Sequence, residues 1–256
     1  MTSYTKYNSN KILDLAVIVV CYNSEKTIRR CLDSIAYQSC SPAELIIIDG
    51  CSSDKTLEIV SEFSGLTTTV FSQTDDGIYY AMNKGISFVT SSFFMFLNSD
   101  DYFKDSSSLQ RYDMALNDPK IDLLFSNILY VNNEKITRVW DFNDAVGNTF
   151  LATRIPHPGS IVRKSIVEEV GYFDTDFKIA ADFDFFLRIL QQGATYKHIN
   201  YYTVKMEVGG ASDGNVLSMI KQNIEILNSV KLNGHGFLHM VKFILDRFWF
   251  KLRQKL

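Results

Sequence analysis

The residues best suited to chemistry stand together at Asn98, Ser99, Asp100 and Asp101. They follow five apolar residues, Phe93 to Leu97, too short a run for a helix and dense enough for a strand buried on both faces. Two adjacent carboxylates at the carboxyl end of such a strand are costly without a positive partner. In open α/β sheets, the carboxyl ends of strands are where ligands bind. A hard divalent cation carrying a diphosphate satisfies both conditions. The plainer reading is that the two acids start a solvated loop.

The elements that must position these acids are legible upstream. Strands are expected at Leu15–Cys21, Glu44–Ile48, Thr67–Ser72 and Phe93–Leu97, the first a continuous run rich in β-branched residues. Three helices alternate with them. One follows a Ser24 N-cap and places Ile28, Leu32 and Ile35 on one face; another runs to Phe63; a third covers Ile78 to about Val89. This alternation predicts a parallel sheet with helices on its faces. Its carboxyl edge then gathers Tyr22-Asn23, Asp49 and Asn98 to Asp101. Downstream the pattern changes to a short helix (Ser106–Leu116) and a hairpin of Asp122–Val131 with Lys135–Trp140. Then come a strand at Ser160–Arg163, helices at Lys164–Val170 and Lys178–Gln192, and a strand at Thr195–Ile199. A helix at Asn215–Val230 follows.

Composition limits the function. The 256 residues, 46% hydrophobic and 21% charged, suit one large α/β domain or two small ones. A net charge of −3 argues against a nucleic-acid binder. Cys21, Cys31, Cys40 and Cys51 form neither a zinc pattern nor a disulfide framework, and read as isolated thiols of a reducing cytoplasm. His235 and His239 are spaced as helical metal ligands, but Gly236 stands where a metalloprotease needs glutamate. The apolar run from Leu13 to Cys21 is interrupted by Asp14 and has no cleavage site, so a buried strand accounts for it better than a signal peptide. Lys231 to Leu256 carries six Lys/Arg against one acid, leaving the rest of the chain at −8. Phe237, Val241, Ile244, Leu245, Phe248 and Leu252 share one helical face there. That is a membrane-surface signature, or equally a stripe that packs on the domain.

Four stretches, in order, resemble the inverting family-2 glycosyltransferases of the GT-A fold. They are the Val-Val-Cys-Tyr-Asn-Ser opening of Val19–Ile35, Ile-Ile-Ile-Asp-Gly-Cys-Ser-Ser-Asp-Lys-Thr (Ile46–Thr56), Asp-Gly-Ile-Tyr-Tyr-Ala-Met-Asn-Lys-Gly-Ile (Asp76–Ile86) and Leu-Asn-Ser-Asp-Asp (Leu97–Asp101). The resemblance runs from about Leu15 to Ser212. It is nearest to bacterial enzymes that build O-antigen and capsule repeat units. It implies an α/β GT-A fold, Rossmann-like, with a mostly parallel sheet. A catalytic domain would occupy residues 1–214, its nucleotide-binding half at about 12–103 and its acceptor half at about 104–214. Residues 215–256 would be a helical extension.

The resemblance also implies roles. Cys21, Tyr22, Asn23, Asp49, Asp76, Asn83, Asn98 and Asp100 would bind the nucleotide, with Asp49 accepting from the uracil imide. Asp49 as a helix N-cap and Asn83 as a packed helix residue are the alternatives. Asp100, with Asp101 beside it, would hold Mn²⁺ or Mg²⁺; Asn98 replaces the first acid of the family's Asp-x-Asp motif. Asp182 would be the base that takes the acceptor proton, with Asp184 as rival and a helix cap as the structural alternative. His157 would lie on the acceptor side or be a buried, satisfied histidine. Gly209, Gly210 and Ser212 resemble a loop closing over the diphosphate, or an ordinary surface loop. The implied substrates are a UDP-hexose, glucose or galactose, and an undecaprenyl diphosphate-linked N-acetylhexosamine. The protein would sit peripherally on an anionic membrane surface, at the cytoplasmic face of the bacterial cell membrane. A non-catalytic nucleotide-sugar binder is the other reading. A dinucleotide oxidoreductase is disfavoured because Tyr22-Asn23-Ser24 stands where a Gly-x-Gly-x-x-Gly turn belongs.

Overall fold

The computed structural model describes residues 11–142, 148–209 and 216–234, together with Leu245. The first half alternates as expected: β1 (Ile12–Cys21), α1 (Ile28–Ala36), β2 (Ser41–Asp49), α2 (Thr56–Ser61), β3 (Thr68–Ser72), α3 (Ile78–Phe88) and β4 (Phe93–Asn98). The second half holds β5 (Tyr102–Phe103), α4 (Gln110–Leu116), β6 (Leu123–Asn132), β7 (Lys135–Trp140), β8 (Ser160–Arg163), α5 (Lys164–Val170), α6 (Ala181–Gln191), β9 (Tyr196–Glu207) and α7 (Val216–Leu232).

The nine strands form one sheet in the order β3-β2-β1-β4-β8-β6-β9-β5, with β7 paired to β6. β3, β2, β1 and β4 are mutually parallel. β8 then runs antiparallel to both β4 and β6. The sheet is therefore wholly parallel in its first half and mixed in its second, where β6 and β9 are parallel and β8, β7 and β5 pair antiparallel. Along β1, Ala16, Ile18 and Val20 enter one apolar core, and Leu15, Val17, Val19 and Cys21 enter the other. Burial on both faces explains the unbroken apolar runs of β1, β2 and β4. β3 is the edge strand and is largely exposed.

Strand order reverses beside β1, where β2 and β3 lie on one side and β4 on the other. The crevice at such a switch point is the preferred ligand position of an open α/β sheet. Register aligns its rim: Cys21 lies opposite Asp49, and Val20 opposite Asn98.

Four expectations are corrected. Ser24 does not cap α1, which starts at Ile28 with no side-chain cap. β5 follows the Asn98–Asp101 turn at once, because Tyr102 and Phe103 pair with Lys205 and Val204. β9 continues to Glu207 rather than ending near Ile199, because it pairs with β6 along its length. α6 starts at Ala181 rather than Lys178, because the amides of Lys178, Ile179 and Ala180 are bonded elsewhere. α7 shares the main core through Ile226 and Val230. Gly210, Ser212 and the basic tail from residue 235 lie outside the described residues, Leu245 excepted. Among the described residues, no helix is long and apolar enough to cross a membrane.

α3 approaches β1 closely because Gly85 has no side chain: a Cβ there would stand 2.5 Å from Ile18 Cγ2. Gly85→Ala overpacks this contact. It is expected to destabilise the fold by roughly 1–3 kcal/mol, read as a lower midpoint of urea unfolding.

Candidate active site at the sheet switch point

Three loops leave the carboxyl edge of β1, β2 and β4, and short polar side chains stitch them together. The amide of Asn23, itself at φ 48°, donates to Ser52 Oγ at 2.8 Å. Asn23 Oδ1 accepts from the Ser53 amide at 2.9 Å. Ser24 Oγ lies 2.7 Å from Ser99 Oγ, joining the β1 loop to the β4 loop. These bonds explain why Ser24 serves no helix cap. They also give Asn23 a scaffold role in addition to its expected nucleotide contact.

Asp49 is fully buried. Its carboxylate accepts from the Ser52 amide and hydroxyl, from Ser72 Oγ at 2.6 Å and from Cys21 Sγ at 3.7 Å. It thereby organises the turn that follows β2. A uracil imide reaching Asp49 would have to share oxygens already held by these serines. Burial, and then the Asp49 charge, push the Cys21 thiol up to about 12. Tyr22 is exposed and Gly50 lies beneath it: a Cβ on Gly50 would meet Tyr22 Cδ2 at 3.3 Å and Asp75 Oδ2 at 3.2 Å. Asp75, not singled out in the sequence, thus lines this corner, while Asp76 is exposed beside it.

The two acids after β4 have different fates. Asp100 is half-buried, and its main-chain carbonyl accepts from Arg30 Nη2 at 2.9 Å. Burial raises its carboxyl above the usual carboxylate range. Asp101 is closed to solvent and accepts from Asn98 Nδ2 at 3.2 Å and the Glu207 amide at 3.3 Å. Its carboxyl is held well above the ordinary range by burial first and by Asp100 second. The expectation that Asp101 also ligates a metal is corrected: its oxygens face inward and tie the turn to the end of β9. Arg30, which the sequence did not flag, pairs with Glu207 at 2.9 Å and covers the Tyr102 ring at 4.2 Å.

Among the described residues, no group of three or more His, Cys, Asp or Glu side chains forms a self-contained metal site. Asp100 nevertheless fits a hard cation. Burial disfavours its ionised form, which a bound cation would offset, and the nearby Asn98 Oδ1 is buried without a partner. One protein carboxylate suits Mg²⁺ or Mn²⁺, whose remaining oxygens come from a substrate diphosphate and water.

Asp182 is the second residue of α6 and is half-buried. Its Oδ1 accepts from the adjacent Phe183 amide at 2.8 Å. Asp184 points the other way and is bonded to Arg188 Nε, Ser229 Oγ and Asn233 Nδ2. The geometry therefore separates the rivals, with Asp184 a structural anchor for α7. Tyr79, next to the start of α3, donates to the Ile179 carbonyl at 3.0 Å. It lies close enough to Asp182 for that charge, after burial, to push its phenol upward.

Two further expectations change. The Asn83 amide both donates to and accepts from the backbone of Phe173, so it clasps α3 to the second half rather than offering itself to a base. His157 does not face an acceptor. Both ring nitrogens are closed to solvent and unpartnered, and the ring stacks on Phe96 at 5.2 Å. It borders a cavity of about 10 Å³ lined by Phe94, Phe173 and Phe186. Gly209 has φ 108°, in the left-handed region that favours glycine.

A Rossmann-like sheet with an acidic pair at its switch point, continued by a mixed second half, is the GT-A architecture. The sequence matches the family described as Glycosyl transferase family 2 over residues 16–182. A PGL/p-HBAD biosynthesis glycosyltransferase of Mycobacterium tuberculosis is 27% identical over 205 residues, covering 77% of this chain and 78% of its own length. The poly(ribitol-phosphate) β-N-acetylglucosaminyltransferase TarS of Staphylococcus aureus is 28% identical over 180 residues, 67% of this chain and 31% of that protein. A crystal structure of a TarS fragment with UDP-GlcNAc aligns at TM-score 0.72 and 20% identity, covering 92% of this chain and 73% of that one. The mannosyltransferase PcManGT of Pyrobaculum calidifontis, with GDP-Man and Mn²⁺, aligns at 0.66 and 16%, covering 94% and 70%. The chain belongs to glycosyl transferase family 2, and it is a glycosyltransferase.

Burial lowers the His157 imidazole to about 4, against an ordinary value near 6.5. The unfolded chain then binds the proton first, so stability falls as pH drops from about 6.5 toward 4. His157→Phe removes this titration, and unfolding midpoints across that window should become flatter in the variant than in the parent.

Proposed function

We propose that the chain transfers a hexose from a uridine diphosphate sugar to a hydroxyl of a lipid-linked saccharide, with inversion at the anomeric carbon. The observation that carries this reading is the fastening of the Asp182 segment to the start of α3 through Tyr79. Tyr79 stands in the first turn of α3, so this bond supports a reading in which the Asp182 segment works together with the parallel half that ends in Asp100.

The roles follow from chemistry. Inverting transfer is a single displacement, and the attacking hydroxyl must lose its proton as the bond forms. Asp182, in the first turn of α6, is the proton acceptor. Asp100 would hold Mg²⁺ or Mn²⁺, and the chemistry such an ion would supply there is Lewis-acid neutralisation of the leaving diphosphate. Tyr22, Gly50 and Asp75 form the wall against which the nucleoside lies, and the Asn98 carboxamide offers its buried Oδ1 to a ribose hydroxyl. Gly209, with Gly210 and Ser212, contributes backbone toward the diphosphate. Support for a nucleotide-sugar donor comes from the folds aligned with UDP-GlcNAc and GDP-Man. Support for a glycolipid or cell-surface polymer as acceptor comes from the names of the relatives. The basic stretch from Lys231 to Leu256 supports a peripheral seat on an anionic cytoplasmic membrane face, and O-antigen or capsule repeat units are the product this reading assigns.

The test is UDP release from UDP-glucose, UDP-galactose and their N-acetyl forms, with Mn²⁺ or chelator, and a synthetic N-acetylhexosamine diphospholipid. Release should need one donor, the acceptor and metal together. Asp182→Asn should lower kcat by about 10²–10⁴-fold while leaving UDP affinity intact, and Asp100→Ala should abolish the stimulation by metal. A protein that binds no UDP by calorimetry, with or without metal, would refute the assignment.

A further inference from the structure

The segment Lys178-Ile179-Ala180 immediately precedes α6, and its three consecutive amides converge on one side chain. Glu225, on α7, accepts from Lys178 N at 3.1 Å, from Ile179 N at 2.8 Å and from Ala180 N at 2.9 Å. The Oε2 atom takes all three, and Oε1 also receives the Lys178 amide at 3.1 Å. Successive amides turned to one side form an anion-binding concavity. Here the anion is built into the chain, 45 residues beyond Ala180. The N-cap residue of α6 is Ala180, which has no side chain able to cap. Glu225 takes the amide of that N-cap residue and the two before it, and so fixes the chain as it enters α6.

We infer that Glu225 is a positioning residue for Asp182, setting the place of the base from α7. The inference rests on Asp182 being the base proposed above. Asp182 lies two residues past Ala180, so any shift of the three amides passes directly into its backbone. The same segment is held on its opposite side, where the Ile179 carbonyl accepts from Tyr79 on α3. Its amide edge is therefore bound to α7 and its carbonyl edge to the nucleotide-binding half. α7 is itself fixed from α6 by Asp184, through Ser229 and Asn233. Glu225 thus closes a ring in which the helix that carries the base holds the helix that positions it. Misplacing a catalytic group by about 1 Å can cost on the order of 100-fold in rate without weakening substrate binding.

The test compares full-length Glu225→Ala, Glu225→Gln and Ile226→Val with the parent enzyme. Ile226→Val trims the core side of the same helix and bears only on packing. Glu225→Ala should lower kcat by about 10–100-fold, leaving donor KM and UDP affinity within about twofold. Glu225→Gln keeps an acceptor oxygen at the same reach and should restore most of kcat. Ile226→Val should lower the melting temperature and leave kcat unchanged. Amide hydrogen exchange gives a readout independent of turnover: Lys178, Ile179 and Ala180 should lose protection in Glu225→Ala and keep it in Ile226→Val. Unchanged kcat or unchanged protection in Glu225→Ala overturns the inference. So does a kcat loss in Ile226→Val equal to that in Glu225→Ala, which would assign the effect to stability. If the parent turns over but Asp182→Asn is equally active, the base assignment itself fails, a result distinguishable from failure of Glu225 alone.

Discussion

A carboxylate buried beside another carboxylate is the constraint around which the active corner is arranged. Removing Asp101 from water costs several kcal/mol unless hydrogen bonds replace the lost solvent. The Asn98 carboxamide and the Glu207 amide supply part of that replacement. Glu207 must then be placed, and Arg30 from α1 and the Asn133 amide hold its carboxylate. Arg30 also bonds the Asp100 carbonyl. One buried acid thus fixes the end of β4, the end of β9 and the face of α1, while Asp100 beside it stays half-buried. The division of labour between the two acids follows from this, not from their identical chemistry.

Much of the first half was legible because its signals are local. Buried parallel strands read as unbroken apolar runs, and their ends are marked where Cys21, Asp49 and Asn98 give way to polar turns. Parallel pairing then puts those ends on one edge whatever the details of the loops. The misreadings have a common cause: their decisive partners are distant in sequence. Asn83 has the look of a ligand on a helix, but Phe173 takes both its hydrogen-bonding groups. His157 sits between two prolines, as an exposed loop residue would, yet aromatic rings enclose it. Tyr102 and Phe103 form a strand only because β9 is there to receive them. Nothing in the neighbourhood of Arg30, Glu207 or Glu225 announces what they bind.

The second half shows a different economy. Where the first half uses backbone register to align its groups, the second uses single side chains as fasteners. Asn83 ties α3 to Phe173, Tyr79 ties it to Ile179, and Tyr112 draws Ser126, Thr203 and the Gly159 carbonyl around one phenol. Each such bond is buried or partly so, where an unmatched partner is expensive. A few such bonds therefore hold the chain entering α6, and the turn before it, against α3.

The late place of Glu207 and Glu225 in the chain has a consequence for how the protein acquires its working shape. Glu207 lies 106 residues from the acid it supports, and Glu225 lies 45 to 47 residues from the amides it gathers. Contacts so far apart along the chain close late, because loop entropy must be spent before they return anything. A chain emerging from the ribosome can complete the parallel half of the sheet long before residues 207 and 225 exist. The nucleotide crevice is then expected to form as a scaffold first, and the catalytic corner to be set only when the last described helix docks.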